Sequence, residues 1–257
     1  MAVASRATGV TRVEQIMGMP IVVDARDVGD PAALEPLFDW FRFVDRTFST
    51  YSPDSEISRL DRGELPLGEA HPDVREVLAR CDELRVETNG FFDVHAESDD
   101  RADPSGLVKG WSVDRAAAIA DELGWRNYAI NAGGDIRLRG GALPAPHWRV
   151  GIQHPSDRRR IAAVVVAGDD LAVATSGAYA RGRHVFDPHT HRPPEGVLSV
   201  TITGPELATA DAFATAAFAM GLDGPAWTAH LRGYEVMTLL ADGRSLRTPG
   251  FGLSSRR

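Results

Sequence analysis

The apolar positions of the chain fall into two rhythms. Leu34, Leu37, Phe38, Phe41, Val44 and Phe48 recur at helical spacing, which predicts an amphipathic helix with Asp30 as N-cap and Pro31 in its first turn. Val74, Val77, Leu78, Cys81 and Leu84 mark a second helix that stops near TNG at 88–90. A third covers roughly 108–123, with Gly124 as its stop. Short β-branched runs supply the other rhythm: PIVVDARD, HWRVGIQ, IAAVVVAG, DLAVAT and VLSVTITG each read as a strand. NYAINAGGDIRLRG reads as two strands around Gly133-Gly134, and YEVMTLLADGRSLRTPG as a hairpin over Asp242-Gly243. The polar stretch 51–71 is expected to be a long loop. Strands outnumber helices and several read as antiparallel, so the pattern predicts an α+β fold, mostly antiparallel sheets flanked by helices. No repeat, low-complexity tract or linker interrupts it.

Composition narrows the class. The chain has 257 residues, 43% of them hydrophobic, enough to bury a large core. A net charge of −8 with no basic stripe argues against nucleic acid as the main partner. The single cysteine, Cys81, precludes an internal disulfide and falls on the apolar face of its helix, where it reads as a core residue. No apolar run has the ~18–20 residues that a membrane span requires, and the first residues show no signal-peptide pattern. A cytoplasmic protein is expected, or an extracytoplasmic one if a leader has been removed.

One stretch conflicts with its own surroundings. TADAFATAAFAMG, 209–221, reads as a helix pressed into a core, yet it carries Asp211 and Thr215 on one face, four positions apart. Asp211 can serve the helix N-terminus and Thr215 can bond back to a carbonyl. The alternative is that both oxygens face a hard cation such as Mg²⁺. Other chemistry sits at the joints. Tyr51 follows a helix and can stack on a flat ring or anchor its loop. Phe91, Phe92 and Asp93 follow a helix end. DPSGLVKGWSVDRAA turns into a helix, with backbone N–H groups and Lys109 available to an anion, but without the spacing of a P-loop. Ser176 and His184 share one loop region, but no nucleophile elbow surrounds the serine.

Taken in order, these blocks resemble the FAD:protein FMN transferase family of the ApbE type. MGM at 17–19 is similar to the family's MGT, and FSTYSPDSEISRL to its (M/F)STY-x-x-DSEISRLN segment. NGFFDV resembles GAFDPT; DPSGLVKGWSVDRAA resembles DLGGIAKGYAVDR; NAGGDI resembles N-x-GGDI. ATSGAY…HVFDPHTHRP is similar to ATSG-x-Y…HI(I/V)DP-x-TG-x-P, and TADAFATAAFAMG to ADALATALFVLG. The chain departs at Met19 for Thr, His95 for Thr, Trp111 for Tyr and Ala214 for an Asp of some members. It is also shortened, with only ten positions from Asp93 to Asp103.

The resemblance implies a single ApbE-like domain over 1–257. It implies Mg²⁺ held by Asp211, Thr215 and an oxygen at Gly106, which as glycine can offer only its carbonyl. It implies FAD contacts at Met17, Tyr51, Phe91, Phe92, Asp93, Asp103, Lys109 and Phe186. The implied reaction moves the FMN moiety of FAD to a Thr or Ser hydroxyl of an acceptor protein and releases AMP. His184, with Asp187 to orient it, is the expected proton acceptor. Two alternatives keep the same site: a Mg²⁺-dependent FAD pyrophosphatase giving FMN and AMP, or a flavin-binding protein without catalysis.

Overall fold

A computed structural model describes residues 9–96, 101–177 and 185–252. The chain opens with β1 (Val10–Ile16) and β2 (Met19–Ala25), joined by a tight turn in which Met17 and Gly18 both have positive φ, 53° and 69°. That backbone matches the twist of a two-residue hairpin. Asp30 accepts from the Ala32 N–H and caps a short 3₁₀ turn, which runs into α1 (Glu35–Phe48). The face of α1 bearing Leu37, Phe38, Phe41, Val44 and Phe48 is buried, as the periodicity predicts.

Next come α2 (Glu56–Asp61), α3 (Pro72–Glu87) and α4 (Ser105–Glu122). The 51–71 stretch is therefore not a continuous loop: the Ser55 hydroxyl accepts from the Ser58 N–H and starts α2, with Ile57 buried beneath it. A cap rather than an apolar period makes this helix. α4 begins earlier than expected because Asp103 accepts from the Ser105 N–H at 2.9 Å.

The remaining elements are β3 (Tyr128–Ala132), β4 (Asp135–Arg139), β5 (Trp148–His154), β6 (Asp157–Ala167), β7 (Leu171–Gly177), β8 (Val197–Gly204), α5 (Leu207–Ala219), α6 (Gly224–Thr228), β9 (Glu235–Leu240) and β10 (Ser245–Arg247). Eight strands form one sheet in the order β1-β2-β3-β4-β7-β8-β9-β10, and every neighbouring pair is antiparallel. β5 and β6 pair separately as a hairpin.

Alternation along the strands divides the core. Ala172 and Ala174 of β7 join the main core with α1, α4 and α5. Val173 between them faces the other way, into a smaller cluster with Ile152 and Val165 of the hairpin, Met237 and Phe251. Helices thus cover one face of the large sheet, and the hairpin covers part of the other, in agreement with the expected α+β class. Cys81 is buried, and burial pushes its thiol up to about 12.

Candidate functional site

Where α4 and α5 cross, Gly110 replaces a side chain that has no room. A Cβ there would sit 2.6 Å from the Leu207 carbonyl oxygen. The close approach brings Asp211, on the fifth residue of α5, against α4. Its Oδ2 accepts from the Gly110 N–H at 3.3 Å and its Oδ1 lies 3.1 Å from Lys109 Nζ. The N-terminus of α5 is served by a different carboxylate, since Asp114 of α4 accepts from the Ala208 N–H at 2.8 Å. Asp211 is therefore not the helix cap.

A second carboxylate completes the cluster. The Gly133-Gly134 turn, with φ of 60° and 110°, delivers Asp135 as the first residue of β4. Its Oδ1 accepts from the Thr175 N–H at 2.9 Å and its Oδ2 pairs with Lys109 Nζ. Asp135 and Asp211 are almost wholly buried, 2% and 1% exposed. Burial alone would lower the pKa of the Lys109 ammonium, but the two facing carboxylates outweigh it and hold it above the usual lysine range. Burial raises Asp211 well above the ordinary carboxylate range, against the pull of Lys109 and aided by repulsion from Asp135. NAGGDI signals its Asp only as a residue next to a turn. The pairing with Lys109 becomes visible only when β4 lies beside α4.

Lys109 and Asp103 border two cavities. The first, about 160 Å³, is lined by Phe91, Phe92, Asp93, Gly106, Phe186, Asp211 and Thr215. The second, about 330 Å³, is lined by Met17, Met19, Phe48 and Tyr51 among others. All the expected site residues that are described thus line one cavity or the other. Tyr51 is 97% exposed at its rim, held there by no core packing. Phe92 is buried, and a Cβ on Gly106 would come within 3.1 Å of its ring, so glycine lets the aromatic lie against α4. Phe91 meets the His189 ring edge-on at 4.6 Å. Asp93 is tied to Arg85 at 3.1 Å.

His184 lies outside the described residues. Asp187, expected to orient it, closes a turn among the described residues: Oδ1 accepts from the His189 N–H at 2.9 Å and Oδ2 from the Thr190 hydroxyl at 2.8 Å. Ser176 lies against α5, its hydroxyl 3.1 Å from that of Thr215.

The donors present fit a hard divalent cation. Two buried carboxylates against one ammonium leave a net negative charge in a poorly solvated place. The Thr215 and Ser176 hydroxyls line the same cavity, and helical geometry sets the Gly106 carbonyl opposite the Gly110 N–H that also donates to Asp211. Among the described residues no three of His, Cys, Asp and Glu gather into a cluster. A cation here would therefore rest on Asp211 with hydroxyl and carbonyl oxygens, a set suited to Mg²⁺ rather than zinc.

An antiparallel sheet backed by helices, with a charged cluster bordering two cavities, places the chain among the α+β proteins. Residues 17–98 and 95–238 match the model of the ApbE family, and the chain belongs to that family. It is 34% identical over 171 residues to the FAD:protein FMN transferase of Vibrio cholerae, across 60% of this chain and 51% of the relative. The enzyme of the same description from Escherichia coli K12 is 30% identical over 155 residues, 57% of this chain and 44% of the relative. The chain spans about half the length of the curated relatives it matches. Among solved structures, the flavin transferase ApbE from Vibrio cholerae superposes with a TM-score of 0.82 at 24% identity, over 95% of this chain and 98% of that one. The ApbE protein of Thermotoga maritima gives 0.82 at 22% identity, over 97% and 100%. At these identities the likeness is one of fold. Among the described residues no helix is long and apolar enough to cross a membrane.

Proposed function

We propose that this chain is an FAD:protein FMN transferase, which moves the FMN moiety of FAD to a Thr or Ser hydroxyl of an acceptor protein and releases AMP. The observation that carries the reading is the position of Lys109. A half-buried, charged ammonium borders both cavities, as the linkage of a dinucleotide requires when two ring systems lie to either side of a pyrophosphate.

In this reading Lys109 neutralises the pyrophosphate, and Asp135 and Asp211 keep its ammonium charged. Tyr51 offers a ring face to a flat heterocycle, while Phe91 and Phe92 exclude water from the reacting end. Asp211, Thr215 and the Gly106 carbonyl would hold Mg²⁺, which when bound supplies charge neutralisation at the phosphoryl oxygens. The acceptor hydroxyl oxygen forms a bond to the phosphorus on the riboflavin side. The bond from that phosphorus to the AMP oxygen breaks, and the hydroxyl proton passes to a base, with His184 as the candidate. Positioning and charge do most of the work in phosphoryl transfer of this kind.

Incubation with FAD, Mg²⁺ and an acceptor domain carrying the family's hydroxyl motif tests the proposal. A fluorescent flavin band on a denaturing gel, with AMP released in equal amount, is the expected result. FMN and AMP without a band would make the chain a pyrophosphatase. FAD bound and unchanged would make it a binding protein.

A further inference from the structure

Asp135 has no place in the metal and flavin sites the resemblance implies, yet it is among the most deeply buried charges of the molecule. Its two oxygens are committed in different directions: Oδ1 to the Thr175 N–H at 2.9 Å, which fixes the carboxylate across β4 and β7, and Oδ2 to Lys109. Lys109 therefore lies between two carboxylates, with Asp211 on its other side at 3.1 Å. An ammonium that faced Asp211 alone would form a closed, neutral pair. A divalent cation gains little from a carboxylate whose charge is already matched, and ion pairs buried this deeply are strong enough to compete with it.

We infer that Asp135 is a positioning residue: it holds the Lys109 ammonium toward β4 and so leaves Asp211 available to a cation. The inference rests on the transferase reading of the site, and it assigns Asp135 no contact with metal or substrate. Geometry supports this division of labour. Asp135 is anchored by backbone and Lys109, whereas Asp211 shares its cavity with the Thr215 and Ser176 hydroxyls. Asp135 is not among the residues lining either cavity beside Lys109.

A double-variant cycle on the full chain, read as Mg²⁺ affinity by titration calorimetry without FAD, tests it. Asp135→Asn keeps the acceptor for the Thr175 N–H but releases Lys109 to Asp211. Mg²⁺ affinity is expected to fall about 10–100-fold, the range for groups that act on a metal through its ligands. Adding Lys109→Met to that variant removes the competitor, and affinity is expected to return to within a few-fold of the parent. Transfer activity should stay low in the double variant, since Lys109 itself is gone. If the double variant stays as weak as Asp135→Asn, Asp135 is a direct ligand or a purely structural residue and the inference fails. If Asp135→Asn binds Mg²⁺ like the parent, the inference fails alone. A parent that binds no Mg²⁺ overturns the metal reading and this inference together.

Discussion

Strand β4 and helix α4 face each other through three ion pairs, and the first differs in kind from the other two. Asp135, Arg137 and Arg139 alternate onto one face of the strand, meeting Lys109, Asp114 and Asp121 of the helix. In the outer two pairs the strand gives the cation. In the first the polarity is reversed, the helix giving the cation. The outer pairs are tied to each other by a third carboxylate, Asp170, which lies 2.8 Å from Arg137 and also contacts Arg139. The first is shared with Asp211 and opens onto the two cavities. Side-chain exposure of the strand residue rises along the ladder from 3% through 11% to 29%. One vocabulary of Asp, Lys and Arg thus serves two ends: where the charges interlock in a chain away from the cavities they bind strand to helix, and where one lysine meets two buried carboxylates beside the cavities they make a candidate site.

That contrast can be broken at several points. The largest effect is expected from Asp211→Asn, which keeps an acceptor for Gly110 but removes the charge. Transfer should fall by about 10²–10³, the cost of deleting one group that stabilises developing charge, while the thermal midpoint holds. Undiminished initial rates would mean that the second carboxylate on Lys109 is incidental. Arg137→Met addresses the structural half. It leaves Asp114 without its arginine and Asp170 with Arg139 alone, both carboxylates half-buried, so a loss of about 2 kcal/mol in denaturant unfolding is expected, with the rate per folded molecule unchanged. A folded variant without activity would join the outer pairs to the site.

Tyr51→Ala sharpens the comparison from the far cavity. Losing a stacking face should weaken FAD binding by about 1–3 kcal/mol, borrowing the range for base–aromatic stacking. Because the ring is 97% exposed, stability should not move. Unchanged affinity in a fluorescence titration would leave Tyr51 a loop residue. The smallest effect is expected at the wet end of the ladder: Arg139→Met should cost about 1 kcal/mol or less. A loss as large as that of Arg137→Met would show that exposure is not what grades the pairs.

Much of this arrangement is legible in the chain. The apolar period locates α1 and α3, the β-branched runs locate most strands, and the ordered blocks anticipate residues that line both cavities. β1 escaped for a physical reason. Its inward side carries Arg12 and Glu14, which reach Glu35 and Arg42 of α1, while Val13 points out at 56% exposure. Polar alternation is thus inverted where a strand pairs with a helix through charge. α2 escaped because six residues are too few to show a period. Asp135 escaped because its meaning lies in partners remote in the chain. The turn beside it is local and readable, but Lys109 and Asp211 come together only through the fold.

The close crossing at Gly110 has a temporal consequence. The Gly110 N–H and the Asp211 carboxylate that accepts from it are 101 positions apart in the chain. A ribosome adding roughly 5–20 residues per second takes about 5–20 s to cover that separation. Asp135 emerges in the first part of the interval, so Lys109 has a carboxylate partner on β4 before α5 exists. The second carboxylate joins Lys109 only when α5 packs against α4. A half-made chain accordingly carries a one-to-one ion pair, and gains the second carboxylate only once α5 has been added.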